Sequence, residues 1–139
     1  MKVREANVSA PVAEVDAVTP AASLFHSFSD PSRLVILQHL QLREHRVVDL
    51  TAHLGLSQST VSKHLACLRE TGMVTVRSEG RASVYSLAHP EALVDLLSAA
   101  ERVLALTGDA VTLCPLHGRA VVSQANQQNH EESSADVGA

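Results

Sequence analysis

A chain of 139 residues has room for one domain with a real core, and its size is one that dimerisation would help. No apolar run approaches the ~20 residues that span a bilayer. The N-terminus also lacks a basic, apolar, small-residue signal layout, so a cytoplasmic protein with no membrane partner is expected. The net charge of −4 argues against a nucleic-acid partner only until it is divided: residues 30–87 carry seven Lys/Arg against five acids, whereas 88–139 carry two against seven.

Phe25, Phe28 and Tyr85 are its three aromatic residues of the Phe, Tyr and Trp type, leaving the core to Leu, Val and Ala, as suits a helical protein. Two cysteines in a cytosolic chain are free thiols or metal ligands more often than a disulfide. No phosphate loop, nucleophile motif or paired carboxylates are evident, so an enzyme is not expected.

Residues 1–19 show no period and read as a flexible N-terminal arm. A short helix is expected over 20–28. In DPSRLVILQHL, Asp30 caps the first turn, Pro31 suits the first helical position, and Leu34, Leu37 and Leu40 share one face. After a polar connection, Val47, Leu50 and Leu54 give a short helix its buried side, and Gly55 ends it.

Ser57 caps the next helix, in which Val61, Leu65 and Leu68 form the core stripe. Gln58, Ser59, Thr60, Ser62 and Lys63 open this helix on the side a DNA groove would meet. His64 suits either DNA contact or packing beside the stripe. MVTVRS and ASVYSL alternate about Glu79, Gly80 and Arg81 and read as a hairpin, with Arg77 and Arg81 suited to phosphate or minor-groove contact. HPEALVDLLSAAERVLAL follows as a long helix whose wide apolar face would serve, with the first helix, as a dimer interface. The expected fold is mainly α with a small β-hairpin: a winged helix-turn-helix over 20–106 that dimerises through its first and last helices. The remaining residues, 107–139, read as a tail that passes through LCPLHG and ends in disordered composition.

Cys67 lies off the Val61/Leu65/Leu68 stripe, on the flank it shares with Thr60. Cys114 follows the last helix, where burial is least assured, and His117 stands three residues on. A Cys-x-x-His spacing can close on one ion, and soft thiolates suit Cd(II), Pb(II), Zn(II) or As(III). The alternative is that both cysteines are incidental. His26, His39, His45 and His53 have no paired partner in sequence and read as helix-surface residues.

Taken together, DPSRLVILQHL, LTAHLGLSQSTVSKHLACLRETGMV and EGRASVYSL resemble the ArsR/SmtB family of metal-responsive repressors, over roughly residues 20–105. The resemblance implies a homodimer that binds an operator palindrome in double-stranded DNA and releases it on binding its inducer. The family's arsenic and cadmium type carries Cys-x-Cys before the reading motif, where this chain has Arg46 and Val48. Its zinc type uses acid and histidine pairs on the last helix; the corresponding His89, Glu91, Arg102 and Ala105 lack at least half of them. Its cadmium/lead type draws thiols from the recognition helix of one subunit and the tail of the other. Cys67 and Cys114 stand at those places, while Thr71 replaces the second recognition-helix cysteine. The implied function is repression relieved by Cd(II) or Pb(II), with Zn(II) or As(III) as other candidates, at a site of Cys67, Cys114 and His117. The other reading is a repressor that responds to thiol oxidation or persulfidation through the two cysteines.

Overall fold

The computed structural model describes residues 3–115, with side chains from residue 13 onward. Its elements are α1 (Val3–Ser27), α2 (Pro31–Leu42), β1 (His45–Arg46), α3 (Val47–Leu54), α4 (Gln58–Glu70), β2 (Val74–Glu79), β3 (Ala82–Leu87) and α5 (Pro90–Leu106). Helices α3 and α4 form the helix-turn-helix, and β2–β3 form the wing, as the sequence pattern predicts.

The local chemistry explains these boundaries. Asp30 accepts hydrogen bonds from the Ser32 and Arg33 amides, at 2.8 and 3.3 Å, and so caps α2. Ser57 does the same for α4 through the Thr60 amide at 3.3 Å. Gly55, at φ 65°, takes the left-handed conformation that closes α3 and redirects the chain into α4. Gly80, at φ 62°, opens the two-residue turn of the wing, where strands of right-handed twist require a positive φ.

One apolar cluster joins these elements. Ile36 and Leu37 of α2, Leu50 of α3, and Val61, Leu65 and Leu68 of α4 are fully buried, and Val74, Leu93 and Leu97 close over them. The α4 stripe therefore faces inward and fixes which side of that helix meets solvent. Exposed large apolar residues occur mainly on the two helices expected to pair: Val15, Val18 and Phe25 on α1, and Val103 and Leu106 on α5.

Three features differ from the sequence expectation. The first helix begins at Val3, so most of the segment read as an arm is helical. Six alanines between Ala6 and Ala22 favour helix without supplying an apolar period, and the side chains of 13–23 are exposed, so nothing periodic marks the helix. The wing sheet has three strands in the order β1-β3-β2, with His45 opposite Tyr85 and Arg46 opposite Val84. The segment after α5 is docked rather than loose. Gln38 Nε2 donates to the Thr112 carbonyl at 2.9 Å and Gln41 Nε2 to that of Leu113 at 3.1 Å, while Leu113 is buried. His117 and the end of the tail lie outside the described residues.

Candidate nucleic-acid interface and thiol sites

The first two turns of α4 present Gln58, Ser59, Ser62 and Lys63 to solvent, on the side away from the buried stripe. Thr60 is half-buried, and its hydroxyl lies 2.9 Å from Ser57 Oγ, so it belongs as much to the cap as to the outer face. His64 turns inward. Its Nδ1 lies 3.3 Å from Arg33 Nη1, its Nε2 lies 3.9 Å from Asp30, and its side chain is only 15% exposed. Of the two roles open to it in sequence, the structure places it beside the α2 cap.

The wing arginines have different surroundings. Arg77 is bound on both sides, at 2.5 Å to Glu44 and 3.0 Å to Glu79. Hydrogen bonding to Glu44 is the main cause that raises its pKa, and the reciprocal bond lowers that of Glu44. Arg81, at the wing turn, and Lys63 are exposed and make no salt bridge among the described residues. Arg81 also lines an open cleft of about 380 Å³ with Arg46, Val48 and Gln58, between the start of α4 and the wing. Arg46 was missed in sequence because β1, which places it at the cleft, is only two residues long.

Both cysteines are free thiols, Cys67 half-buried on α4 and Cys114 only 1% exposed. The sequence left the burial of Cys114 open, and the structure encloses it. Glu101 Oε1 accepts from both the Leu113 and Cys114 amides at 2.8 Å, which turns this segment onto α5. Cys114 Sγ lies 3.6 Å from Ser98 Oγ and 3.8 Å from the Val94 carbonyl oxygen. Burial is the first cause that pushes its pKa up, so the closed segment holds a thiol rather than a thiolate. Thr71, at the family's other thiol position, donates its hydroxyl to the carbonyls of Cys67 and Leu68 at 3.3 and 3.2 Å. It is committed to the end of α4, and a hydroxyl is a poor ligand for a soft ion.

An exposed polar face on the second helix of a helix-turn-helix, flanked by a basic cleft and a wing, defines a DNA-binding regulator. Residues 30–76 match the family model described as bacterial regulatory protein, arsR family. The chain is 35% identical over 104 residues to the "Probable mercury resistance operon repressor" of Streptomyces lividans, covering 73% of this chain and 82% of that protein. It is 40% identical over 88 residues to the HTH-type transcriptional regulator CmtR of Mycobacterium tuberculosis, covering 63% of this chain and 75% of the relative. The homodimeric winged helix-turn-helix DNA-binding domain of Mb0332 from Mycobacterium bovis superposes with a TM-score of 0.56 at 26% identity, over 66% of this chain and 89% of that one. The chain belongs to the arsR family, a family of DNA-binding transcriptional regulators and not of enzymes. No helix among the described residues is long and apolar enough to cross a membrane.

Proposed function

We propose that this protein is a metal-responsive repressor that binds operator DNA as a homodimer and releases it when a thiophilic ion engages Cys67 and Cys114. The observation that carries the reading is the position of Cys67. It is a free, half-buried thiol four residues beyond Lys63 on the helix whose opening turns face solvent. A ligand held there acts on the orientation of the recognition helix without an intermediary. The relative named for mercury resistance supports a soft-metal inducer, and thiolates suit Cd(II), Pb(II), Hg(II) or As(III), with Zn(II) as a harder candidate. Dimerisation through α1 and α5 would cover the exposed apolar residues of both helices, and the homodimeric Mb0332 domain supports it. Gln58, Ser59, Ser62 and Lys63 are the proposed groove contacts and Arg81 the phosphate contact, with Arg46 beside it in the cleft paired to Glu79 at 3.5 Å. Thr60 and His64 hold the helix start, and Arg77 is steered by its glutamates. His117 is retained as the third ligand, since Thr71 does not supply one.

The test is a titration of the reduced protein on an operator oligonucleotide obtained by in vitro selection. Cd(II), Pb(II), Hg(II), As(III) and Zn(II) are added while DNA anisotropy and thiolate charge-transfer absorption are followed together. Release should accompany the absorption, and Cys67→Ser and Cys114→Ser should each lose both. Normal release by both variants would sink the assignment. Release by peroxide in the presence of chelator would favour the oxidation reading instead. The burial that raises the Cys114 pKa weighs against that outcome.

A further inference from the structure

Three histidines that look unrelated in sequence meet in space. His39 lies in the last turn of α2, His45 in β1 and His53 in the last turn of α3. Each offers a ring nitrogen, and these nitrogens all lie within 4.8 Å of one another. The rings of His39 and His53 stack with centroids 4.4 Å apart and planes 14° apart. His45 stands edge-on to both, at 5.7 and 5.6 Å.

His45 is the anchor of the group. It is 4% exposed, and its Nδ1 lies 2.8 Å from the Arg43 carbonyl oxygen. A carbonyl only accepts, so Nδ1 carries the hydrogen, and Nε2 is the nitrogen the ring can offer to an ion. Histidines that ligate metals are held in the same way, with the second nitrogen donating to a carbonyl or carboxylate that fixes the tautomer. None of the three makes a salt bridge among the described residues, so no carboxylate occupies their ring nitrogens.

We propose that His39, His45 and His53 form a second metal site, for a borderline divalent ion such as Zn(II), separate from the thiol pair. Two nitrogens bound to one tetrahedral zinc stand about 3.3 Å apart, given bonds of about 2.0–2.1 Å. The cluster therefore needs to close by no more than about 1.5 Å. His39 and His53 can supply this by side-chain rotation, since they are half-buried and exposed, respectively, on the last turns of their helices. Three imidazoles leave the fourth position to water on the exposed His53 side. The ion would join the end of α2, the strand that borders the wing, and the helix that carries α4, so loading the site fixes the wing against the helix-turn-helix. Aliphatic side chains would fill this junction without burying polar rings, so packing alone does not account for three histidines.

The test uses the full chain with Cys67→Ser and Cys114→Ala, and Co(II) and Zn(II) as probes. One Co(II) per protomer is expected, with d–d absorption and no thiolate charge transfer, displaced by Zn(II). Zn(II) at about a hundredfold excess over its Kd should raise Tm by about 10 °C. His53→Gln, at an exposed position, should weaken Co(II) binding at least about tenfold and remove most of the Tm shift. Absence of binding by the parent, or equal affinity in His53→Gln, overturns the proposal. If the double cysteine variant does not fold, the same His53→Gln comparison is made in the wild type. There the imidazole site is read from Co(II) absorption outside the thiolate band. Loss of the thiolate signal tests the inducer site separately, so either assignment can fail without the other.

Discussion

Replacing Glu101 by alanine removes the one oxygen that accepts both the Leu113 and Cys114 amides, each at 2.8 Å. A hydrogen bond to a charged group contributes about 1.5–3 kcal/mol. Here the two bonds share one half-buried oxygen, water replaces part of what is lost, and the Gln38 and Gln41 bonds to the same segment remain. The expected loss of docking free energy is therefore about 2 kcal/mol, which makes the open segment about thirtyfold more populated. In a Cys67→Ser background the remaining thiol is Cys114, so its rate of reaction with a thiol reagent follows that population as long as reclosing is fast. Glu101→Gln keeps an acceptor but loses its charge, and should give about fivefold, near 1 kcal/mol. An unchanged reaction rate in Glu101→Ala, with helix content intact by circular dichroism, would refute the role given to Glu101.

Lys63→Ala and Arg81→Ala should weaken DNA binding across sequences, each lowering the salt slope by about 1 per protomer. Arg77→Ala should change the slope less, because Glu44 and Glu79 already occupy its guanidinium. Leu65→Ala empties a fully buried position between the helices of the reading head and should cost about 2–5 kcal/mol in denaturant unfolding. Asp30→Ala should cost about 1 kcal/mol through the lost α2 cap. Burial alone would raise the Asp30 pKa, but the Arg33 and Ser32 amides outweigh it and the net shift is downward from 3.8. A lowered carboxylate stabilises the fold above its unfolded pKa and loses that contribution as pH falls through the folded value. The wild-type advantage over Asp30→Ala should therefore hold above about pH 4 and vanish in more acidic urea titrations.

The parts of the fold legible in sequence are those whose signals are local. Asp30 and Ser57 announce their helices by capping chemistry, and the Val61/Leu65/Leu68 spacing alone orients α4. The turn at Gly80 marks the wing. What escaped has no local signature. Helix α1 has alanine propensity, and the side chains of residues 13–19 are exposed, so no buried stripe marks that stretch. Strand β1 is two residues long and exists only because β3 pairs with it. His39, His45 and His53 share no helical spacing, so only the packing of α2, β1 and α3 brings their rings together. The burial of Cys114 had no signal in sequence because the residues that hold its segment are distant: Glu101 on α5, with Gln38 and Gln41 of α2 beside it. The likeness to a metal-sensing family identified a candidate cysteine pair, but not the closed state in which one of them is held.

That closed state bears on the proposed switch quantitatively. Cys114 is buried against the α5 of its own protomer, whereas the proposed site needs it as a thiolate beside the Cys67 of the partner subunit. Metal capture then requires the segment to open and the thiol to lose its proton. The apparent metal affinity equals the intrinsic affinity multiplied by the fraction of protein already open. A change that opens the segment without touching a ligand must raise both the reactivity of Cys114 and the apparent metal affinity, and by the same factor. Glu101→Ala should therefore tighten Cd(II) binding by up to about thirtyfold, matching its effect on thiol modification. It should also lower the Cd(II) concentration at which DNA is released. If the thiol reacts faster but Cd(II) binds no more tightly, Cys114 is not a ligand of the inducing metal.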